Sequence, residues 1–136
     1  MDGVVLTPLG RIPTGKGDVM HAVKATDNGF CGFGEVYFTE IYPHQVKGWK
    51  RHKRLTLNLV VVSGEVRFHI YNEQTGERQT VDLSPEKNYQ RLTLQPMLWM
   101  AFEGIGEHTA LLMDLIPEAH DPQEAETKEL TWQRLS

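Results

Sequence analysis

Turn-forming residues interrupt this chain roughly every ten residues, and that spacing limits what it can fold into. The breaks fall at Pro13-Thr14-Gly15, Asn28-Gly29, Pro43, Ser63-Gly64, Thr75-Gly76, Ser84-Pro85, Pro96, Gly104 to Gly106 and Pro117. Between them lie short runs rich in Val, Ile, Leu, Phe and Tyr, residues that suit a pleated, half-buried surface. Runs of this length and composition read as the short antiparallel strands of an all-β sandwich or barrel. Strands are expected near 4–7, 18–25, 33–42, 55–62, 65–72, 78–83, 89–94, 97–103 and 108–116. Residues 121–136 begin with a polar, charged stretch, Asp121 to Glu129, which reads as a short helix or an extended tail. A chain of 136 residues makes one domain, 1–136, long enough to bury a core.

Alternation is clearest over 55–72. Leu55, Leu57, Leu59 and Val61 alternate in one run, and Val66, Phe68 and Ile70 in the next. A two-residue turn at Ser63-Gly64 would close them into a hairpin, with Val62 opposite Glu65 and Asn58 opposite His69. One face of that hairpin is apolar. The other carries Thr56, Asn58, Arg67, His69 and Tyr71, which makes His69 a surface or interface residue. The apolar face is expected to pack on a second sheet.

Just before this region stands a cluster of cations. Five of the chain's 14 Lys and Arg, namely Lys47, Lys50, Arg51, Lys53 and Arg54, fall within eight residues, with His52 among them. The whole chain carries a formal net charge of −4, so nucleic acid and anionic membrane surfaces are not expected partners. A local cation cluster on an acidic protein points instead to a specific anionic ligand. Unpaired neighbours of like charge would depress the pKa of His52, and a neutral imidazole among cations suits a general base acting on an anionic substrate. The same residues also read as a solvated basic loop. No His-x-His pair occurs, and no metal site is expected. Trp99 reads either as a stacking surface for a flat ligand or as core. Glu35, Tyr37 and Thr39 alternate on an early strand and line either a pocket or an exposed face. No 18-residue apolar run and no basic leader occurs, and the single cysteine, Cys31, has no disulfide partner and is expected to be passive; a cytoplasmic protein is expected.

Four segments resemble the cupin-fold enzymes of nucleotide-sugar biosynthesis, in particular the dTDP-4-dehydrorhamnose 3,5-epimerase family. Phe33-Gly-Glu-Val-Tyr-Phe-Thr39 is similar to that family's early substrate-contacting strand. Lys47-Gly-Trp-Lys-Arg-His52 resembles its Arg-Gly-Leu-His element, whose histidine abstracts sugar ring protons. Leu59 to Val66 resembles its Val-Val-x-Gly-x-Val hairpin, and Val81 to Glu86 with Leu94-Gln-Pro96 resembles its Leu-Ser-x-Glu and following proline.

The resemblance implies a cupin, jelly-roll-like β-barrel or sandwich assembled as a homodimer through sheet edges or the polar face. It also implies a nucleotide-diphosphate sugar as partner, with no cofactor. The expected reaction is metal-free proton abstraction alpha to the keto group of a dTDP-linked or other NDP-linked 4-keto-6-deoxyhexose. His52 would be the base. Lys47, Lys50, Arg51 and Arg54 would meet the diphosphate or the enolate, and Glu35, Tyr37 and Trp99 would contact substrate. The alternatives are a sugar-nucleotide 3,4-ketoisomerase and a non-catalytic sugar-nucleotide-binding cupin.

Departures from the family pattern are also legible. Its catalytic lysine and the partner carboxylate fall at Leu57 and Phe68. Its Tyr-Tyr-x-Pro acid segment reads Ala119-His-Asp-Pro122, which leaves His120 as the nearest titratable group. The wider cupin metal motif would fall at Lys50, His52 and Leu57, one ligand of three. No counterpart of the carboxylate that orients the histidine stands out near Trp132-Gln-Arg134.

Overall fold

A computed structural model describes residues 1–129. Residues 130–136, and with them Trp132 to Arg134, lie outside the described residues. The strands, in order, are β1 Val4–Pro8, β2 Arg11–Ile12, β3 Val19–Met20, β4 Glu35–Ile41, β5 Val46–His52, β6 Leu57–Ser63, β7 Val66–Tyr71, β8 Arg78–Leu83, β9 Gln90–Leu94, β10 Trp99–Gly104, β11 Ala110–Ile116 and β12 Ala125–Thr127. A single 3-10 turn, Pro122–Glu124, precedes β12. Two five-stranded antiparallel sheets result, ordered β1-β9-β6-β11-β4 and β12-β5-β10-β7-β8, beside a small β2–β3 ribbon. This is the expected all-β jelly-roll sandwich.

The core lies between the two sheets. Leu57, Leu59 and Val61 of β6, Leu92 and Leu94 of β9, and Leu112 and Ile116 of β11 face Val66, Phe68 and Ile70 of β7, Val81 and Leu83 of β8, and Met100 of β10. Each strand contributes alternate residues because its Cβ atoms alternate across the sheet.

The expected 55–72 hairpin does not form. Alternation assigned the correct faces to both strands, yet β6 and β7 belong to opposite sheets. β6 pairs with β9 and β11, while β7 pairs with β8 and β10. The chain crosses from one sheet to the other at Ser63-Gly64. Gly64 has φ 78° there, and a Cβ on it would meet the Ala110 Cα at 2.7 Å. Asn58 and His69 therefore sit on opposite outer faces of the sandwich rather than opposite one another. His69 is also buried, only 4% exposed, with its Nε2 3.0 Å from Glu103 Oε1.

Two further differences bear on function. The expected strand 18–25 shrinks to Val19–Met20, and residues 22–29 strap the outer face of the first sheet. Fully buried Arg91 anchors that strap, donating to Ala22 O, Asn28 O, Asp27 Oδ2 and Asn58 Oδ1. The cation cluster is no loop: 46–52 is β5, an interior strand of the second sheet. The 121–129 stretch supplies its neighbour, β12.

Candidate active site

One cavity of about 320 Å³ opens between the sheets. Its walls mix apolar residues (Leu55, Leu57, Leu94, Leu98, Met100, Phe102 and Leu112) with a polar set of Tyr37, Thr39, Lys47, Lys50, His52, Gln95, Asp114 and Thr127. An apolar cleft with a few convergent polar groups is the usual form of a small-molecule site.

β5 brings the cations in through an irregularity. Lys50 pairs with Met100 of β10, but Lys47 pairs with Phe102, so β5 holds one residue more than its partner across this stretch. This bulge turns Lys47, Lys50 and His52 all toward the cavity, where strict alternation would have sent one away. Gly48 makes it possible. Its φ is 139°, and a Cβ there would lie 2.7 Å from the Ala101 Cα and 2.9 Å from the Met100 carbonyl oxygen. Trp49 and Arg51 point to the outer face.

His52 is buried, 6% exposed, and its Nδ1 lies 2.5 Å from Oε1 of Glu124, itself 3% exposed. β12 lies antiparallel to β5 with Ala125 opposite His52, so the residue before β12 reaches the imidazole. Asp121 caps the short turn by accepting from the Gln123 N–H, and Pro122 starts it. Oε2 of Glu124 accepts the backbone N–H groups of Arg54 at 3.0 Å and Leu55 at 3.1 Å. Burial alone would raise the pKa of Glu124, but these two N–H groups and His52 hold it below the ordinary carboxylate value. Burial lowers the pKa of His52 and outweighs the support of Glu124, with Lys50 lowering it further. The imidazole is therefore neutral at pH 7. With Glu124 ionised, the ring proton sits on Nδ1, and Nε2 keeps its lone pair.

The depressed pKa of His52 agrees in direction with the sequence expectation, but its main cause is different. Of the flanking cations it is Lys50 that lowers it, and His120 adds to the lowering. Arg51 is drawn away to Glu126, at 2.7 Å, and to Glu73, and Arg54 is drawn to Glu118 at 2.5 Å. Lys50 makes no ion pair with another described residue and faces the cavity.

The facing sheet supplies the other polar wall. Tyr37 of β4 donates its hydroxyl proton to Asp114 Oδ2 of β11 at 2.9 Å. The two residues are direct neighbours in the β4–β11 register. Burial, then the Asp114 charge, raises the pKa of Tyr37. Burial raises that of Asp114 to about 6, against the lowering by Tyr37 and Lys50.

Of the residues singled out in the sequence, Tyr37, Thr39, Lys47, Lys50 and His52 share the cavity. Glu35, Arg51, Arg54, Trp99 and His120 do not line it. Glu35 accepts the backbone N–H of His120, and His120 is exposed. Trp99 is buried on the outer face of the second sheet, where Arg51 lies 4.6 Å and Lys128 5.3 Å from its ring centroid. Sequence reasoning missed Glu124 and Asp114. The Asp-Pro-Gln-Glu run at 121–124 was the one available pointer to Glu124, as a capped turn carrying a carboxylate. Asp114 was detectable only as a lone charge in an otherwise apolar strand. Among the described residues no group of three His, Cys, Asp or Glu is placed to hold a metal ion.

An antiparallel jelly roll whose inter-sheet cavity is lined by a histidine backed by a buried carboxylate defines a cupin-type protein. Superposition on a crystal structure of a dTDP sugar isomerase from Desulfovibrio desulfuricans gives a TM-score of 0.91 at 30% identity, covering 96% of this chain and 86% of that one. The chain belongs to this family of cupin-fold dTDP-sugar isomerases. A sugar 3,4-ketoisomerase from Thermoanaerobacterium thermosaccharolyticum, solved with TDP, shares the fold with a TM-score of 0.79 at 20% identity over 93% of this chain and 88% of that one. So does a dTDP-4-dehydrorhamnose 3,5-epimerase from Sulfolobus tokodaii, with a TM-score of 0.84 at 14% identity over 97% and 80%. No family model and no curated protein matches the sequence.

Proposed function

We propose that this protein is a nucleotide-sugar isomerase of the epimerising kind, acting on a dTDP-linked 4-keto-6-deoxyhexose. The observation that carries this reading is the neutral His52, fixed by Glu124 with Nε2 free, in a largely apolar cavity beside Lys50, which has no ion pair among the described residues. A hydrogen alpha to a ketone is acidic enough to remove only if the developing enolate is stabilised. His52 Nε2 takes the proton. The ammonium of Lys50 stands close enough to act on both His52 and Asp114, and it stabilises the enolate oxygen. The cavity holds a sugar ring but not a whole nucleotide sugar, so the diphosphate lies toward exposed Lys47 at the mouth. Membership of the dTDP-sugar isomerase family supports the substrate class.

The same first step serves 3,4-keto-isomerisation. The absence of a tyrosine from 117–122 favours keeping that second reading. Incubation with dTDP-4-keto-6-deoxyglucose in deuterated water separates the two. Deuterium at C3 and C5 with inverted product is the expected outcome. Deuterium at C4 with the keto group moved to C3 identifies the ketoisomerase. Binding without exchange leaves a sugar-nucleotide-binding cupin.

A homodimer is part of the same reading. β4 is an edge strand, and it exposes Val36 and Phe38. An unpaired apolar edge invites a second copy, and sedimentation equilibrium should give twice the chain mass. The lone, exposed thiol of Cys31 suits a reducing, cytoplasmic setting.

A further inference from the structure

Inversion at carbon needs a proton delivered to the ring face opposite the base. His120 stands outside the cavity, and the 117–122 segment holds no tyrosine. His52 belongs to the second sheet, so the opposite face of a ring in the cavity meets the first sheet, where Tyr37 and Asp114 stand. Tyr37 has one hydroxyl proton, and Asp114 Oδ2 already holds it. Turning that hydroxyl into a phenolate beside a carboxylate is disfavoured, as its raised pKa reflects. Asp114 Oδ1 is different. It is buried and has no hydrogen-bond partner among the described residues, on a side chain that lines the cavity. A buried carboxyl oxygen without a partner is costly to keep, unless a ligand or a proton meets it. Burial also lifts this carboxyl to about 6, so that a fraction of it carries a proton as pH approaches neutrality from below.

We propose that Asp114 is the catalytic acid of this cavity, delivering a proton from Oδ1 to the substrate carbon on the face opposite His52. The proposal rests on the proton-transfer reading above. His52 Nε2 takes the alpha proton, and the C–H electron pair becomes the enolate double bond, with negative charge on the former carbonyl oxygen. The Asp114 Oδ1–H bond then breaks, its proton bonds to the same carbon from the other side, and the carbonyl re-forms. The site is left with an imidazolium and a carboxylate, which return to their starting states by exchanging one proton with water. Tyr37 keeps its proton throughout and holds the carboxyl through Oδ2.

The test reads exchange and inversion separately in deuterated water, with dTDP-4-keto-6-deoxyglucose as probe. Asp114→Asn is nearly isosteric and keeps an acceptor for Tyr37. Its recovered substrate should still take up deuterium with retained configuration, within about threefold of wild type, while inverted product falls by about 100-fold or more. Tyr37→Phe should lower inversion by less than about tenfold, and His52→Asn should abolish both signals. Inversion at the wild-type rate in Asp114→Asn would overturn the assignment. So would exchange and inversion falling together in a folded Asp114→Asn protein, or Tyr37→Phe losing inversion as completely with exchange intact. If the wild type exchanges nothing, the proton-transfer reading itself fails, and Asp114's role falls with it.

Discussion

A histidine buried between two sheets acts as a base only if one ring nitrogen is kept free, and Glu124 decides which. Its Oε1 accepts a hydrogen bond from Nδ1–H while Oε2 is pinned by two backbone N–H groups, so neither partner can rotate away. Glu124→Gln keeps the shape but lets the amide donate toward Nδ1, favouring the wrong tautomer. The expected loss in kcat is about 100-fold to 10,000-fold with a smaller change in KM, read by steady-state kinetics. Because the base must be neutral and its pKa is lowered from 6.5, activity should persist below pH 6.5 before the acid limb sets in. Glu124 raises that pKa, so the Gln variant should move the limb to still lower pH, as a pH–rate profile will show. His52 was legible from its own neighbours in sequence. Glu124 was not, because it lies 72 residues away and meets the imidazole only through strand pairing.

At the scale of the element, β5 matters most. A strand with strict period two cannot turn residues 47, 50 and 52 to one side, and the bulge at Gly48 removes that limit. Gly48→Ala would combine a disfavoured φ of 139° with a Cβ 2.7 Å from the Ala101 Cα. Strain and overpacking together should cost about 2–4 kcal/mol. Calorimetry should show a melting point lower by on the order of 10 °C, and Lys50 and His52 should lose their common orientation, with most of the activity. The same irregularity explains why 46–52 reads as a basic loop: the bulge breaks the alternation by which strands are recognised. The failed 55–72 hairpin has a related cause. Alternation says which face of a strand is buried, and a Ser-Gly turn fits a crossing between sheets as well as a return within one. Pairing partners are set by strands far away in sequence, here β9 and β11 for one and β8 and β10 for the other.

For the whole molecule, the cavity sets the response to pH. The folded pKa of His52 lies below its unfolded 6.5, so the unfolded chain takes up that proton first, and stability is lost as pH falls below 6.5 through the folded value. Glu124, held below 4.5, adds a second loss as pH falls through and below 4.5. Asp114 acts in the other direction. Its folded pKa of about 6 exceeds the unfolded 3.8, so its contribution is full below 3.8 and is lost as pH rises through 6. Near neutral pH that difference of about two units is a penalty of roughly 3 kcal/mol. Asp114→Asn should therefore melt higher than wild type at pH 7.5 and lose the advantage at pH 4, a stability gain opposed to its expected loss of turnover. Sequence alone determined the all-β class, the buried faces of the main strands, the jelly-roll resemblance and His52 with its lysines. The class, the buried faces and the His52 cluster follow from residue type and short-range spacing, and the jelly roll from the resemblance of four segments to a known family. Only the tertiary structure decided that the 46–52 cations divide between cavity and surface, that β6 and β7 part to opposite sheets, and that Glu124 and Asp114 complete the site. Those outcomes depend on which distant strands pair, because register and burial together set where a side chain points and whether its charge survives.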